Sequence, residues 1–510
     1  MLALALSLAR AQDSPAPPAS TPATDSTSQQ QQQPVPAFGQ DTAPAPMVEN
    51  PPISGLDQPG LEPHASPLSY LQPGATISES AGSNVTNTTG GGNGTSITTA
   101  TGSLMLQRLW KNYDLGLQYK GGVAYYNFNG AGWKLLQQLD LDQKITWKRG
   151  QLSLRDSFSY LPEGNFGGSY GSFGSQGIAG FGGGLSGFWG GSNLGSVGVA
   201  PRILNVSVAD VSENITPKSA ITAAVGYAFT HFYGTDLGTG ASFIGGSQTM
   251  AQVGYSRLLT SRTQMALVYG YQGFDFSIAG TAFHAHLIQG MYGHRITGRM
   301  DLLLGAGPQI LRIDTQGAVC SDPSLQGLAC LLAGDTLVAT TIKDTKVGVA
   351  AQARLRYKFP RTSLDLTYEH FLTSGSGLFA GSESDIIRLT AERPLSRVWT
   401  AFGDIGYSHN SRVQPLTPQQ LGACGAAVQG SQGSQIPCPA NDATTYNYGF
   451  IGGGLHRSFG RNFHAFGSYQ FNELAFGESF CIPSVPCNRI SNRQVVTFGL
   501  DWTPRPIRID

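Results

Sequence analysis

Few residues of this 510-residue chain stand at spacings that chemistry would use. Gly167, Gly168, Ser169, Tyr170 and Gly171 fit G-x-S-x-G, the strand-to-helix elbow that presents a nucleophilic serine. The match lies in a Gly/Ser/Phe tract with no helical pattern behind it, so chance explains it better. Residues 182–187 fit G-x-G-x-x-G, again without a following helix whose N-terminus would receive a pyrophosphate. His284 and His286 share one face of an extended run, yet no third ligand completes a metal site. There is no P-loop and no H-E-x-x-H. These residues imply no catalytic group, no metal and no cofactor, and the chain reads as a non-enzyme.

The six cysteines fall into three neighbouring pairs: Cys320 with Cys330, Cys424 with Cys438, and Cys481 with Cys487. Connectivity cannot be deduced from sequence alone, but one bridge inside each segment is the simplest arrangement. No C-x-x-C occurs, which removes zinc-ribbon, thioredoxin and c-type haem readings. Disulfides imply an oxidising compartment. Residues 1–11, MLALALSLARA, agree with that: a short apolar stretch ends in Ala9-Arg10-Ala11, an A-x-A-like cleavage site. The basic n-region is missing, so this reads as a signal peptide truncated at its start.

The elements that would position any site follow from composition and period. Charged residues make up 13% of the chain, and Lys+Arg and Asp+Glu both number 32, which excludes a basic nucleic-acid binder. No apolar run reaches the length of a membrane-spanning helix. Residues 12–74 form a Pro/Ala/Gln-rich tract with 14 of the 29 prolines, too polar to offset its ordering entropy, and read as a disordered extension.

From residue 75 the pattern alternates with period two. In residues 133–148 one face carries Trp133, Leu135, Gln137, Leu139, Leu141, Gln143, Ile145 and Trp147; the other carries Lys134, Leu136, Gln138, Asp140, Asp142, Lys144, Thr146 and Lys148. A helix would scatter these sets, whereas a strand separates them. Residues 346–359 repeat this, with Val347, Val349, Leu355 and Tyr357 opposite Lys346, Gln352, Arg354, Arg356 and Lys358. Eighteen strands are predicted, near 75–84, 96–109, 113–127, 133–148, 151–161, 203–214, 219–233, 247–259, 263–274, 282–295, 299–312, 342–359, 363–373, 384–393, 397–409, 444–458, 462–475 and 491–502. Sixteen is the alternative, because the first is weak. Many exceed the ~5–6 residues of globular strands and suit the ~9–11 that tilted membrane strands need. Asp156 breaks the pattern, standing in phase with Leu152, Leu154, Phe158 and Tyr160.

Connections alternate between short basic turns and longer segments rich in Gly, Ser and Asn; the longest, 161–200, is the third long one. Over residues 75–510 the chain resembles a porin-like Gram-negative outer-membrane β-barrel, in architecture rather than through any family signature. The resemblance implies an all-β, transmembrane, antiparallel up-and-down barrel of about 18 strands, with the tail in the periplasm and the long loops outside. It also implies outer-membrane lipid, lipopolysaccharide and the barrel-assembly machinery as partners, and no nucleic acid. The chain ends in Trp502 followed by TPRPIRID, whereas many porins end on an aromatic residue.

A sheet of sixteen to eighteen strands closes around an interior too wide for side chains to fill, which makes it an aqueous channel. Lys134, Asp140, Asp142, Lys144, Arg155, Arg354, Arg356, Asp365 and Glu369 would line it, mostly as structural ion pairs. From residue 101 onward basic residues exceed acidic ones by six, which hints at a weak anion preference. The expected function is passive diffusion of small polar solutes across the outer membrane. Two alternatives stand: an outer-membrane enzyme with a catalytic rim, and a non-conducting barrel that binds partners through disulfide-bonded loops.

Overall fold

The structure, a computed structural model, describes residues 69–84, 94–127, 132–161, 202–233, 245–276, 281–320, 337–359, 361–373, 380–413, 444–477 and 488–509. The strands are β1 (Tyr70–Gly82), β2 (Thr95–Leu109), β3 (Tyr113–Tyr126), β4 (Gly132–Thr146), β5 (Gly150–Leu161), β6 (Arg202–Thr216), β7 (Ser219–Phe232), β8 (Gly246–Thr260) and β9 (Thr263–Phe276). They continue as β10 (Thr281–Thr297), β11 (Met300–Cys320), β12 (Leu337–Lys358), β13 (Ser363–Thr373), β14 (Ser382–Pro394), β15 (Trp399–Arg412), β16 (Thr445–Phe459), β17 (Phe463–Phe476) and β18 (Ile490–Trp502). A two-residue β19 (Ile507–Arg508) follows. Each of β1 to β18 pairs antiparallel with its chain neighbours, and β1 pairs with β18, from Ala75 opposite Trp502 to Gly82 opposite Val495. That seam closes the sheet into an eighteen-strand barrel, which leaves no free edge.

Local chemistry sets the short turns. Thr216, Thr260 and Thr297 each stand two residues before a basic residue and accept its backbone N–H at 3.2 Å through the hydroxyl. Such a bond offers the chain a turn in place of the ladder. The pairing register shifts immediately before each of these three turns. Between β16 and β17 the reversal uses Gly460 at φ +67°, where a side chain would be strained.

The two phases of each strand differ in exposure. Trp133, Leu135, Leu267, Val347, Val349 and Phe498 are 56–75% exposed and form part of an apolar outer band. A soluble protein does not present so extensive an apolar surface to water; lipid is its natural neighbour. The opposite phase points inward. Toward the long-loop end it is buried and includes apolar clusters: Phe274, Phe283, Ala285, Leu311, Ile313, Leu372 and Val413 form one. Leu204, Val206, Val208, Ala224, Ala228, Met250, Leu287 and Ala350 form another. Here the outer phase turns polar, with His284, His286, Arg312 and Asp314 on β10 and β11. The inner face is therefore not uniformly polar, as alternation alone suggested. Where the outer face carries polar groups, inward apolar side chains pack on one another instead.

Three local departures have identifiable causes. Asp156 points outward, and its carboxylate accepts hydrogen bonds from Asn205 Nδ2 (3.0 and 3.1 Å) and Ser207 Oγ (3.0 Å) on β6. A neighbouring strand, not a bulge, accommodates it. β1 includes Tyr70 and Leu71, because these pair with Gln107 and Leu106 of β2 and with β19. Pairing of β11 with β12 continues through Gln316 opposite Thr341 to Cys320 opposite Leu337, so Cys320 ends a strand rather than lying in a loop.

Gly307 marks a close approach. The ladder between β10 and β11 skips from Gln309 to Ala306, where Pro308 has no N–H to give. A Cβ at Gly307 would lie 1.8 Å from the Ile288 carbonyl oxygen and 2.8 Å from Gln289 Cα. Gly307→Val should cost about 1–3 kcal/mol through overpacking against backbone that cannot rotate away. Equilibrium unfolding in urea, read by heat-modifiable gel mobility, checks this; an unchanged midpoint contradicts it.

Candidate functional site in the barrel lumen

The inward phase of β3 to β6 carries a set of polar groups spread along the strands. Lys134, Asp140, Asp142 and Lys144 stand on β4 in the phase opposite Trp133, Leu135 and Leu139. Asp140 accepts Ser157 Oγ at 2.5 Å and Gln138 Nε2 at 2.9 Å. Arg155, directly opposite Asp142 on the adjacent strand, pairs through Nη2 with Asp210 of β6. Gln107 donates to Asp114 on β3. Apart from the buried Arg155, these candidates are partly exposed toward the lumen.

A second inward set spans β10 to β15. Arg354 grips Asp365 with Nε at 3.0 and 2.9 Å from the two carboxylate oxygens, while its Nη2 also bonds Oδ2. Asp301 bridges two guanidiniums, Arg356 Nη2 at 2.8 Å and Arg295 Nε at 3.2 Å. Arg388 holds Asp404 bidentately, Nε to Oδ1 at 3.0 Å and Nη2 to Oδ2 at 2.6 Å. Glu369 shares this inward phase beside Gln352 of β12. Planar guanidinium–carboxylate forks fix both partners and satisfy several donors at once.

Sequence reasoning named Arg155, Arg354, Arg356 and Asp365 but missed their partners or equivalents Asp210, Asp301, Arg388 and Asp404. Each missed residue shares its phase with apolar neighbours, as Asp210 does with Leu204, Val206 and Val208. Cross-strand register, which the sequence does not print, brings the charges together.

Hydroxyl–imidazole contacts, which a rim enzyme would need, do occur. Ser458, His464 and Asp501 stand directly opposite one another across β16, β17 and β18, with Ser458 Oγ 3.2 Å from His464 Nδ1. Asp501 is engaged elsewhere: it accepts Thr76 Oγ1 at 2.7 Å and Thr503 Oγ1 at 2.5 Å. No hydrogen bond joins His464 to Asp501 among the described residues, so no relay forms. His284 and His286 point outward and meet Tyr271 and Tyr269 hydroxyls at 2.9 Å each. Among the described residues no group of three His, Cys, Asp or Glu side chains could hold a metal ion. The G-x-S-x-G and G-x-G-x-x-G matches, and every cysteine except Cys320, lie outside the described residues, as do residues 1–68.

No family model matches the chain, and no curated protein matches it. Solved structures do. The outer membrane protein opdK from Pseudomonas aeruginosa is 9% identical, with 85% of this chain and 98% of that chain covered at a TM-score of 0.39. A BenF-like porin from Pseudomonas fluorescens Pf-5 is 9% identical, covering 86% and 99% at 0.39. The siderophore receptor PiuA from Acinetobacter baumannii is 9% identical, covering 86% and 82% at 0.41. At such low identity none of these likenesses assigns a function.

Proposed function

We propose that this chain is a barrel of the Gram-negative outer membrane through which small polar solutes diffuse passively. One observation carries the reading: an eighteen-strand sheet closed on itself, apolar outside and lined inside by charged groups held in pairs. The wall replaces the hydrocarbon barrier, while lumen radius and fixed charges select. The protein supplies no covalent step. Short turns and both described ends of the chain lie on one side, which fits the periplasm; the long connections face out. The disulfide bridges of the three cysteine pairs, lipopolysaccharide contacts and the periplasmic tail belong to this same reading.

Paired charges give the lumen a transverse field without a large net sign, so discrimination between anions and cations should be weak. In planar bilayers the purified full chain should give stepwise currents, with a reversal potential close to zero under a potassium chloride gradient. The buried inward side chains near the long-loop end favour a second reading, a barrel closed at that end in its resting state. Phe283, Tyr446 and Tyr448 are at most 1% exposed. Insertion without current would support it and overturn free diffusion.

A further inference from the structure

The eight short turns share a composition that the lumen does not explain. They comprise 23 residues, between two and four per turn, and contain nine basic residues and no acidic one. The nine are Lys111, Lys148, Arg149, Lys218, Arg262, Arg299, Arg361, Arg397 and Arg461; every turn has at least one, and all are exposed. None is in a salt bridge among the described residues. Adjacent turns follow one another around a closed barrel, so the cations form a ring on one rim.

Each turn also places an exposed apolar or aromatic side chain beside its cation. Trp110 precedes Lys111, Trp147 precedes Lys148, Ile215 stands before Lys218 and Leu259 before Arg262. Ile296 stands before Arg299, Phe359 before Arg361, Leu395 before Arg397 and Phe459 before Arg461. An apolar anchor with a cation one to three residues beyond is suited to a membrane interface, where a ring sits at headgroup depth and the charge reaches past it. Arg457 adds to this belt, its guanidinium 5.1 Å from the Trp399 ring centre and 4.6 Å from that of Phe459. Glu213, an acid beside the rim, is occupied by the Trp147 indole N–H at 2.6 Å.

We propose that this rim binds the phosphate headgroups of anionic phospholipid in the leaflet that surrounds the short-turn end. A soluble anionic polymer would need the cations alone. The paired apolar anchors, continuous with the lipid-facing band, favour lipid. The inference rests on the membrane placement of the barrel and not on whether its lumen conducts.

The full chain, folded in vesicles of phosphatidylcholine with a minority of phosphatidylglycerol, tests it through spin-labelled lipids of each kind. The phosphatidylglycerol label should be enriched at the protein by about five-fold per headgroup–cation contact at low salt. The preference should fade at about 0.5 M sodium chloride, where screening is short-ranged. Replacing all nine with glutamine, which leaves Arg457 in place, should remove most of the preference, with heat-modifiable mobility and far-UV circular dichroism confirming that the barrel has formed. Two partial variants guard against misfolding: one replaces Lys111, Lys148, Arg149 and Lys218, the other the remaining five. Each should lose part of the preference.

Equal enrichment of both labels by the unaltered protein at low salt overturns the proposal. So does a preference unchanged in the variants, which would place the anion elsewhere. Displacement of the phosphatidylglycerol label by soluble peptidoglycan fragments at matched charge also overturns it, in favour of a polymer. Bilayer currents from the same preparations are expected to persist in the glutamine variants, and their loss or absence bears on the channel alone.

Discussion

Asp404→Ala is expected to cost about 3–5 kcal/mol of barrel stability, because it strips a buried guanidinium of its carboxylate. The side chains of Arg388 and Asp404 are 9% and 2% exposed, and two hydrogen bonds join them. Arg388 also lies 5.9 Å from the centre of the Phe450 ring, which cannot take over the lost bonds. The large effect measures the cost of taking the carboxylate away from a buried charge rather than the worth of the pair. Replacing both, Arg388→Met with Asp404→Leu, should therefore return stability to within about 1 kcal/mol of the original or above it. Urea unfolding of the barrel in vesicles measures both. A double variant as weak as the single one would show that the pair itself holds β14 to β15.

The second large effect concerns the outer face. Leu267 of β9 is 61% exposed and lies opposite Tyr255 of β8 and Gly290 of β10. Leu267→Arg should destabilise the folded barrel by about 2–4 kcal/mol if that surface meets hydrocarbon near the bilayer midplane. The inward control is Gln118→Arg on β3, which stands opposite Met105 and Asp140 in the exposed part of the lumen. It should change stability by no more than about 0.5 kcal/mol, as exposed substitutions do. In a detergent-free soluble protein the two would behave alike. Their separation reports which face is greasy because lipid lies against it.

Much of this architecture is legible in the sequence. The alternation at Trp133, Leu135 and Leu139 against Lys134, Asp140 and Lys144 reads directly as a two-faced strand, and all eighteen predicted strands exist. The short basic turns are legible too, and at three of them the structure adds a local bond from the backbone N–H of the basic residue to a Thr hydroxyl. Alternation states that two faces differ, but not which one faces inward. Leu204, Val206 and Val208 would read as a lipid face, yet they point into the barrel while Asn205 and Ser207 serve Asp156 outside. The charge pairs were hidden for a related reason. Asp301 meets Arg356 across 55 positions of sequence, and only the register of β11 against β12 makes them neighbours.

Lipid access measured residue by residue along β9 decides whether the sheet has lipid outside and a separate interior. In a variant with all six native cysteines replaced, single cysteines at positions 264 to 269 would each carry a nitroxide, with the protein in vesicles. Collision with oxygen, which concentrates in hydrocarbon, should be high at 265, 267 and 269 and low at 264, 266 and 268. Those odd positions hold Met265, Leu267 and Tyr269, the exposed apolar phase of the strand. A profile that is flat, or that repeats with a helical period, would contradict the barrel and the function built on it.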